Sequence, residues 1–286
     1  MNISKKPFFK ISSHHILMVI CLISIIILSV LVSGCSSTEM SNIYLISMEY
    51  NNITNPVRGE PVVINHAIAE HIYNISENRH ETIRGVLTGY RGFCVIQRDG
   101  AHVCSTRAAT LAKTINGRNS RLRNTTVDPL NLIWMSQNFQ DKMAFDGFVF
   151  MSIILMVICI VLFAGFPGWR KEIDSSGEEK EVKPYPSRWL MYSALVCSGL
   201  SSTMGLVVMQ SQYNSVVAAG VMAEQLMYGA IQTHVGAAGM ALGWVAVMCM
   251  GVVAIAAFGY VVKHQALSLI RKMLDKKDEE QDKEEP

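Results

Sequence analysis

Four long stretches of this chain contain no Asp, Glu, Lys or Arg, and they constrain its fold more than any other feature. They cover residues 16–32, 147–166, 189–209 and 235–262. A helix needs about 20 apolar residues to cross roughly 30 Å of bilayer hydrocarbon, so each stretch predicts a transmembrane helix. We therefore expect a mainly α membrane protein that folds as a four-transmembrane-helix bundle.

The distribution of Lys and Arg predicts how these helices are oriented. Three lie in residues 1–15, five in 167–188 and six in 263–286, whereas 210–234 has none. Basic residues of short connections concentrate on the cytosolic side of a membrane. We therefore expect a cytosolic N-terminus, a cytosolic hairpin and a cytosolic tail. Residues 33–146 then form a large extracellular loop, and 210–234 form a short one.

Three glycosylation sequons agree with this orientation. They begin at Asn52, Asn74 and Asn124, and all three lie in the large loop. An Asn in this motif is glycosylated on segments that pass through the secretory pathway. Three sequons in the one segment predicted to be extracellular favour a eukaryotic secretory route.

Residues 31–35 allow a different interpretation. The sequence Leu-Val-Ser-Gly-Cys follows a basic start and an apolar run, as in a bacterial lipoprotein signal that is removed before Cys35 is lipidated. Three membrane spans would remain, and the sequons would have no role. We favour a first helix that ends in small residues at the membrane interface.

The connection 210–234 is mostly apolar but contains Glu224, Gln225 and Gln232. A fifth membrane span is one interpretation. It would place the Lys-rich tail outside, against the charge rule. A helical extension of the third span agrees better with the charges.

The large loop combines strand-like and helix-like segments. Residues 42–50 and 85–97 are rich in β-branched and aromatic types, which predicts strands. Helical spacing of apolar residues predicts short helices at 61–75 and from Pro129 onwards.

The seven cysteines divide by location. Five lie in or at the end of predicted spans: Cys21, Cys35, Cys159, Cys197 and Cys249. Cys94 and Cys104 lie well inside the predicted exterior, where oxidising conditions favour a disulfide over two free thiols. Such a bond would close a small ring worth roughly 2–3 kcal/mol. The sequence thus predicts a small, disulfide-stapled extracellular domain that contains β-strands.

Enzyme, cofactor and nucleic-acid functions have little support. His66 and His71 are five positions apart, about 140° around a helix, so they cannot share one metal ion. The chain has no phosphate-binding Gly-Lys-Ser/Thr loop, no nucleophile elbow and no basic cluster with interleaved aromatics. We predict a protein without enzymatic activity, cofactor, metal ion or nucleic-acid partner.

The predicted spans have neither a charge nor an internal proline, which argues against an ion path through one subunit. Gly239 and Gly243 in the fourth span are four residues apart, a spacing that lets helices approach closely. This predicts either packing within the bundle or contact between copies in a homo-oligomer.

A short motif in the large loop resembles that of a known family. Gly89, Tyr90, Gly92 and Cys94, followed by Cys104, match a pattern of glycine, two hydrophobic residues, glycine, any residue and cysteine, then a second cysteine. Arg91 departs from it, because the pattern has a hydrophobic residue there. The chain is similar to the claudin-like tetraspans of fungi, and most to the factor-induced gene one family of calcium regulators and membrane fusion proteins of mating.

The resemblance implies a plasma-membrane protein that promotes cell fusion during mating and regulates calcium influx. Its partners would be membrane lipids and other membrane proteins, including calcium-channel subunits. One alternative is a channel or transporter subunit in which Glu224 and acidic loop residues form an outer cation site. Another is a scaffold of a plasma-membrane domain, as in the eisosome tetraspans.

Overall fold

A computed structural model describes residues 13–50, 83–118, 128, 130–143, 146–167, 170–173, 179–182 and 186–281. The helices within these ranges are α1 (Ser13–Val32), α2 (Ala108–Arg118), α3 (Leu132–Met143), α4 (Asp146–Ala164), α5 (Arg188–Leu226) and α6 (Ala237–Gln281). The strands are β1 (Ile46–Tyr50), β2 (Gly85–Thr88), β3 (Phe93–Ile96), β4 (His102–Ser105), β5 (Arg170–Ile173), β6 (Glu179–Val182) and β7 (Ile231–Val235). A 3-10 turn covers Thr38–Met40.

Four helices of the described chain are long and apolar enough to cross a membrane: α1, α4, α5 and α6. Their apolar side chains remain exposed over much of the helix surface, as expected for contact with lipid. With the small antiparallel sheet, they confirm a mainly helical protein with four candidate membrane-spanning helices.

Two of these helices are longer than a bilayer requires. At 1.5 Å per residue, the 39 residues of α5 extend about 58 Å and the 45 residues of α6 about 68 Å. The hydrocarbon core is roughly 30 Å thick. Both helices therefore continue well beyond the apolar layer, and α5 includes the polar Glu224 near its end.

The chain divides into two compact units. The first contains residues 1–26, 151–205 and 246–286, and the second contains 27–150 and 206–245. In the first unit, the Ser201 hydroxyl donates a 3.1 Å hydrogen bond to the Ser152 carbonyl oxygen. In the same unit, β5 and β6 pair as an antiparallel hairpin.

The second unit contains a five-stranded antiparallel sheet in the order β4-β3-β2-β1-β7. Four strands come from residues 33–146, and the fifth, β7, comes from 231–235, between α5 and α6. The pairing of β1 with β7 joins positions as distant as Ile46 and Val235. Residues 85–97, predicted as one strand, form two strands with a turn between them. The helical extension of the third span ends at Leu226 and is followed by β7, which was not predicted.

Both faces of the central strands are covered. Ile46, Met48, Val86, Phe93 and Val95 share one face and are buried. Helix α3 packs on this side, where the Ser136 hydroxyl lies 4.0 Å from the Met48 sulfur. On the opposite face, buried Leu87 and Cys94 pack with Cys35, which follows α1. The alternation of side chains along each strand explains this division.

Candidate functional site

The motif residues form the turn between β2 and β3. We call residues 89–92 the glycine turn. Its ends are joined by a 2.8 Å hydrogen bond from the Gly89 amide to the Gly92 carbonyl oxygen. The flanking pairs Thr88 with Phe93 and Leu87 with Cys94 fix the register of the hairpin. The turn therefore presents a rigid backbone loop at one end of the sheet.

Both motif glycines lie directly against the backbone that follows α1. A Cβ atom on Gly89 would collide with the Gly34 carbonyl oxygen, and one on Gly92 would collide with the Cys35 carbonyl oxygen. The same Gly92 Cβ would approach the Ser36 nitrogen to 2.6 Å. Glycine is required here because two backbone segments touch, a known use of glycine in strand connections.

The other side of the glycine turn contacts α3. The Gln140 side-chain amide donates hydrogen bonds to the carbonyl oxygens of Tyr90, at 2.7 Å, and Gly89, at 3.2 Å. The Tyr90 side chain is buried. Burial raises the pKa of Tyr90, and the nearby Asp146 carboxylate adds to the rise, so the ring remains a neutral phenol. The turn is thus held from two sides.

Arg91, which departs from the family pattern, is exposed. Its guanidinium carbon lies 5.4 Å from the centre of the Phe150 ring near the start of α4. A cation over an aromatic face at this distance is favourable. The charged side chain therefore replaces a hydrophobic residue without entering the core.

The two predicted cysteines are cross-strand partners. Cys94 on β3 and Cys104 on β4 face each other in the register and form a disulfide. The Cys94 sulfur also lies 3.6 Å from the Cys35 carbonyl oxygen. This places the disulfide beside the segment that the glycine turn contacts.

Cys35 is fully buried and has a left-handed backbone, with φ of 57°. Its thiol donates a 3.5 Å hydrogen bond to the Ile43 carbonyl oxygen. Burial raises the pKa of Cys35 to about 12, so the thiol is protonated at neutral pH and is a poor nucleophile. The lipoprotein interpretation would require Cys35 to be exposed for lipidation. In the structure Cys35 is instead packed within this site.

A family comparison covers the same residues. A model of the family described as "Ca2+ regulator and membrane fusion protein Fig1" matches residues 72–263, which are 192 of the 286 in the chain. The chain belongs to the Fig1 family. No curated protein matches the chain. The family predicted from the motif is therefore confirmed.

The Fig1 match includes the glycine turn and both disulfide cysteines, and it ends at Lys263 in α6. It begins after α1 and β1, so Gly34 and Cys35, which the glycine turn contacts, lie outside the matched residues. The family's description assigns it to calcium regulation and membrane fusion. Together with four apolar helices, this makes the chain a multi-pass membrane protein of a fusion and calcium-regulating family.

Tyr50 and Asp128 support the site from the start of α3. The Asp128 carboxylate accepts hydrogen bonds from the Leu132 and Ile133 amides, at 2.9 and 3.0 Å, and from the Tyr50 hydroxyl at 2.8 Å. The Tyr50 oxygen also accepts a 3.1 Å hydrogen bond from the Leu130 amide. Burial, followed by the Asp128 charge, raises the pKa of Tyr50. These contacts join α3, which carries Gln140, to β1.

Sequence reasoning missed Tyr50, Asp128 and Gln140. An Asp shortly before an apolar-periodic helix is a recognised start signal, so Asp128 could have been found. Nothing in the sequence pairs Tyr50 or Gln140 with their partners, because both contacts are long-range.

Glu224 occupies a structural position near the end of α5. One oxygen of its carboxylate accepts hydrogen bonds from the Thr233 amide, at 2.7 Å, and the Thr233 hydroxyl, at 2.8 Å. Tyr228 and Gly229 have φ values of 52° and 76°, and this left-handed pair turns the chain from α5 into β7. The carboxylate fixes that turn by binding β7.

The structure separates the two glycines predicted to pack helices. A Cβ on Gly243 would collide with the Met209 sulfur of α5, whereas a Cβ on Gly239 would lie 2.5 Å from the Tyr44 carbonyl oxygen, before β1.

The predicted glycosylation sites and the two histidines considered as metal ligands lie outside the described residues: Asn52, Asn74, Asn124, His66 and His71. No group of three or more His, Cys, Asp or Glu in the described ranges could hold a metal ion.

Proposed function

We propose that the chain is a non-enzymatic, claudin-like tetraspan of the plasma membrane that promotes cell or membrane fusion during mating and regulates calcium influx. Its N- and C-termini are cytosolic. The disulfide-stapled sheet is extracellular and presents a glycosylated surface to partner proteins.

The Fig1 match supports the fusion and calcium roles, and the pairing of β1 with β7 is the observation that carries the proposed topology. β1 belongs to the long connection between α1 and α4, and β7 belongs to the short connection between α5 and α6. Two connections that share a sheet lie on the same side of a membrane. This supports four spans with both connections outside, in agreement with the Lys and Arg distribution. A fifth span within 210–234 would separate the two strands.

The calcium effect is expected to depend on partners. The apolar stretches of the four helices contain no charged residue that could line an ion path at membrane depth. Glu224, the predicted outer cation site of a channel, uses one carboxylate oxygen to bind Thr233. We therefore infer that this protein acts on calcium entry through another membrane protein.

Fusion of mating cells tests the proposal. We expect Cys94→Ser with Cys104→Ser to lower the frequency of cell fusion and the pheromone-induced calcium influx together, because the sheet loses its covalent link. Cys249→Ser, which changes a free cysteine of α6, is the matched control and should retain both. Normal fusion in the double variant, with normal amounts of protein at the cell surface, would contradict the proposal.

Three further measurements separate the alternatives. Glu224→Gln keeps an acceptor for Thr233 and should leave fusion and calcium influx unchanged, whereas a channel with this cation site would change its ion selectivity. Constant expression, in place of induction by pheromone, would favour the alternative in which the protein is a scaffold of a plasma-membrane domain. Calcium currents from the purified protein alone in liposomes would contradict a partner-dependent effect.

A further inference from the structure

A cleft of about 440 Å³ lies between α1 and α6 in the first unit. Its apolar walls are formed by Ile16, Leu17 and Ile20 of α1 and by Val252, Ala256 and Gly259 of α6. Ile16 and Val252 are about half exposed, so the cleft is open along its side. It is open because Ala256 and Gly259 have little or no side chain.

One end of the cleft is polar. Ser13, Tyr260 and Lys263 line this end, and the Ser13 and Tyr260 hydroxyls form a hydrogen bond with each other. Lys263 is exposed and is the first charged residue after the apolar stretch of α6. No acidic residue occurs in α1, and the first in α6 is Asp275. A cation thus lies at the mouth of an otherwise apolar groove.

We propose that this cleft binds one anionic phospholipid, with an acyl chain along the apolar walls and the phosphate at Lys263. The length of the cleft supports this occupant. Val252 and Lys263 are eleven residues apart, about 16 Å along the helix axis. One leaflet contributes half of the roughly 30 Å hydrocarbon core. The cleft therefore matches the depth of a single leaflet.

Charge complementarity favours an anionic lipid over a protein segment. Basic pockets between transmembrane helices bind the phosphates of lipid head groups. A partner transmembrane helix would contact an apolar groove along both leaflets, whereas this cleft matches the depth of one. An acyl chain with an anionic head group fits apolar walls and one terminal ammonium.

Native mass spectrometry of the full-length protein, released from nanodiscs of equal phosphatidylserine and phosphatidylcholine, tests the proposal. We expect the wild type to retain one phosphatidylserine. Lys263→Gln should lower the ratio of retained phosphatidylserine to phosphatidylcholine about fivefold. Lys272→Gln, which removes an exposed lysine farther along α6, should leave the ratio unchanged.

Filling the cleft provides a second variant that is expected to fold. A Cβ on Gly259 would meet no atom within 4 Å, so Gly259→Leu can be accommodated and should reduce lipid retention about tenfold or more. Phe258→Trp adds volume at a neighbouring exposed residue that does not line the cleft, and it should retain the lipid.

Several results would overturn the proposal. These are a wild type without retained lipid, a Gly259→Leu variant with unchanged retention, or equal effects of Lys263→Gln and Lys272→Gln.

Other results would assign the cleft to a different occupant. Competition by water-soluble glycerophosphoserine as strong as that by dihexanoyl phosphatidylserine would indicate a site for phosphate alone. A dimer that Gly259→Leu dissociates would assign the cleft to a second copy. A fivefold gain in retention after deletion of residues 2–12 would assign it to that segment.

Discussion

At Gly92 the backbone of the glycine turn lies against the backbone that follows α1, so no room remains for a side chain. Neither motif glycine has a positive φ, and in the described chain the glycines that do are Gly100 and Gly229. Space, and not backbone freedom, therefore explains why the turn has glycine at both positions. The glycine turn contacts the backbone of Cys35, and Cys35 cannot move away because its own side chain is buried.

Gly92→Ala should destabilise the protein by about 1–3 kcal/mol, because the added methyl group collides with backbone atoms that cannot rotate away. Thermal unfolding of the purified protein in detergent measures the loss. Gly117→Ala is the control: a Cβ there meets no atom within 4 Å, and alanine favours a helix, so stability should stay the same or rise. Equal unfolding midpoints for Gly92→Ala and wild type would contradict the close contact.

At the scale of elements, α3 connects the glycine turn to β1. Asp128 caps its first turn and accepts a hydrogen bond from the Tyr50 hydroxyl, while Gln140 near its other end binds the glycine turn. The helix is therefore positioned at one end by Tyr50 and at the other by the glycine turn, both of which lie far away in the sequence. A shift of α3 would withdraw Gln140 from the carbonyl oxygens of the turn.

The Tyr50 and Asp128 pair can be measured by a double-mutant cycle. Asp128→Ala should cost about 0.5–2 kcal/mol for the lost cap and more for the Tyr50 hydroxyl left without its acceptor. With Tyr50→Phe present, the second part disappears, which gives a coupling energy of about 0.5–3 kcal/mol. Denaturation of the four proteins provides these values. Asp141→Ala, an exposed site on the same helix, should be near neutral, and strictly additive effects of the pair would contradict direct contact.

For the whole molecule, the shared sheet ties two distant connections to one side of the membrane. Strands β1 to β4 precede α4, and β7 follows α5. The chain must therefore return to the same side after α4 and α5. An even number of crossings between β4 and β7 meets this requirement.

Topology mapping in intact cells tests this arrangement. An epitope inserted at Gly100, in the exposed turn between β3 and β4, should bind antibody without permeabilisation, whereas one after Pro286 should require it. Asn52→Gln, Asn74→Gln and Asn124→Gln should each increase gel mobility, and glycosidase should abolish the differences. Antibody binding to the C-terminal epitope on intact cells, or equal mobility of all variants, would contradict the proposed orientation.

The sequence alone determined the membrane class, the four long helices and the family. These features depend on local quantities: the apolar content of about 20 consecutive residues, and a motif within sixteen residues. The motif also identified Gly89 and Gly92, although the sequence left open whether they provide a positive φ or a close approach.

Only the tertiary structure decided which segments meet. Ile46 pairs with Val235 across 189 positions, Gln140 binds the turn at Tyr90, and Gly92 lies against Cys35. Such contacts leave no periodic pattern in the sequence of either partner. A strand such as β7 forms by pairing with the edge of a sheet, and that edge lies far away in the sequence. Glu224 shows the consequence: as a lone acid in an apolar connection it suggested a cation site, and the fold makes it the acceptor that holds β7.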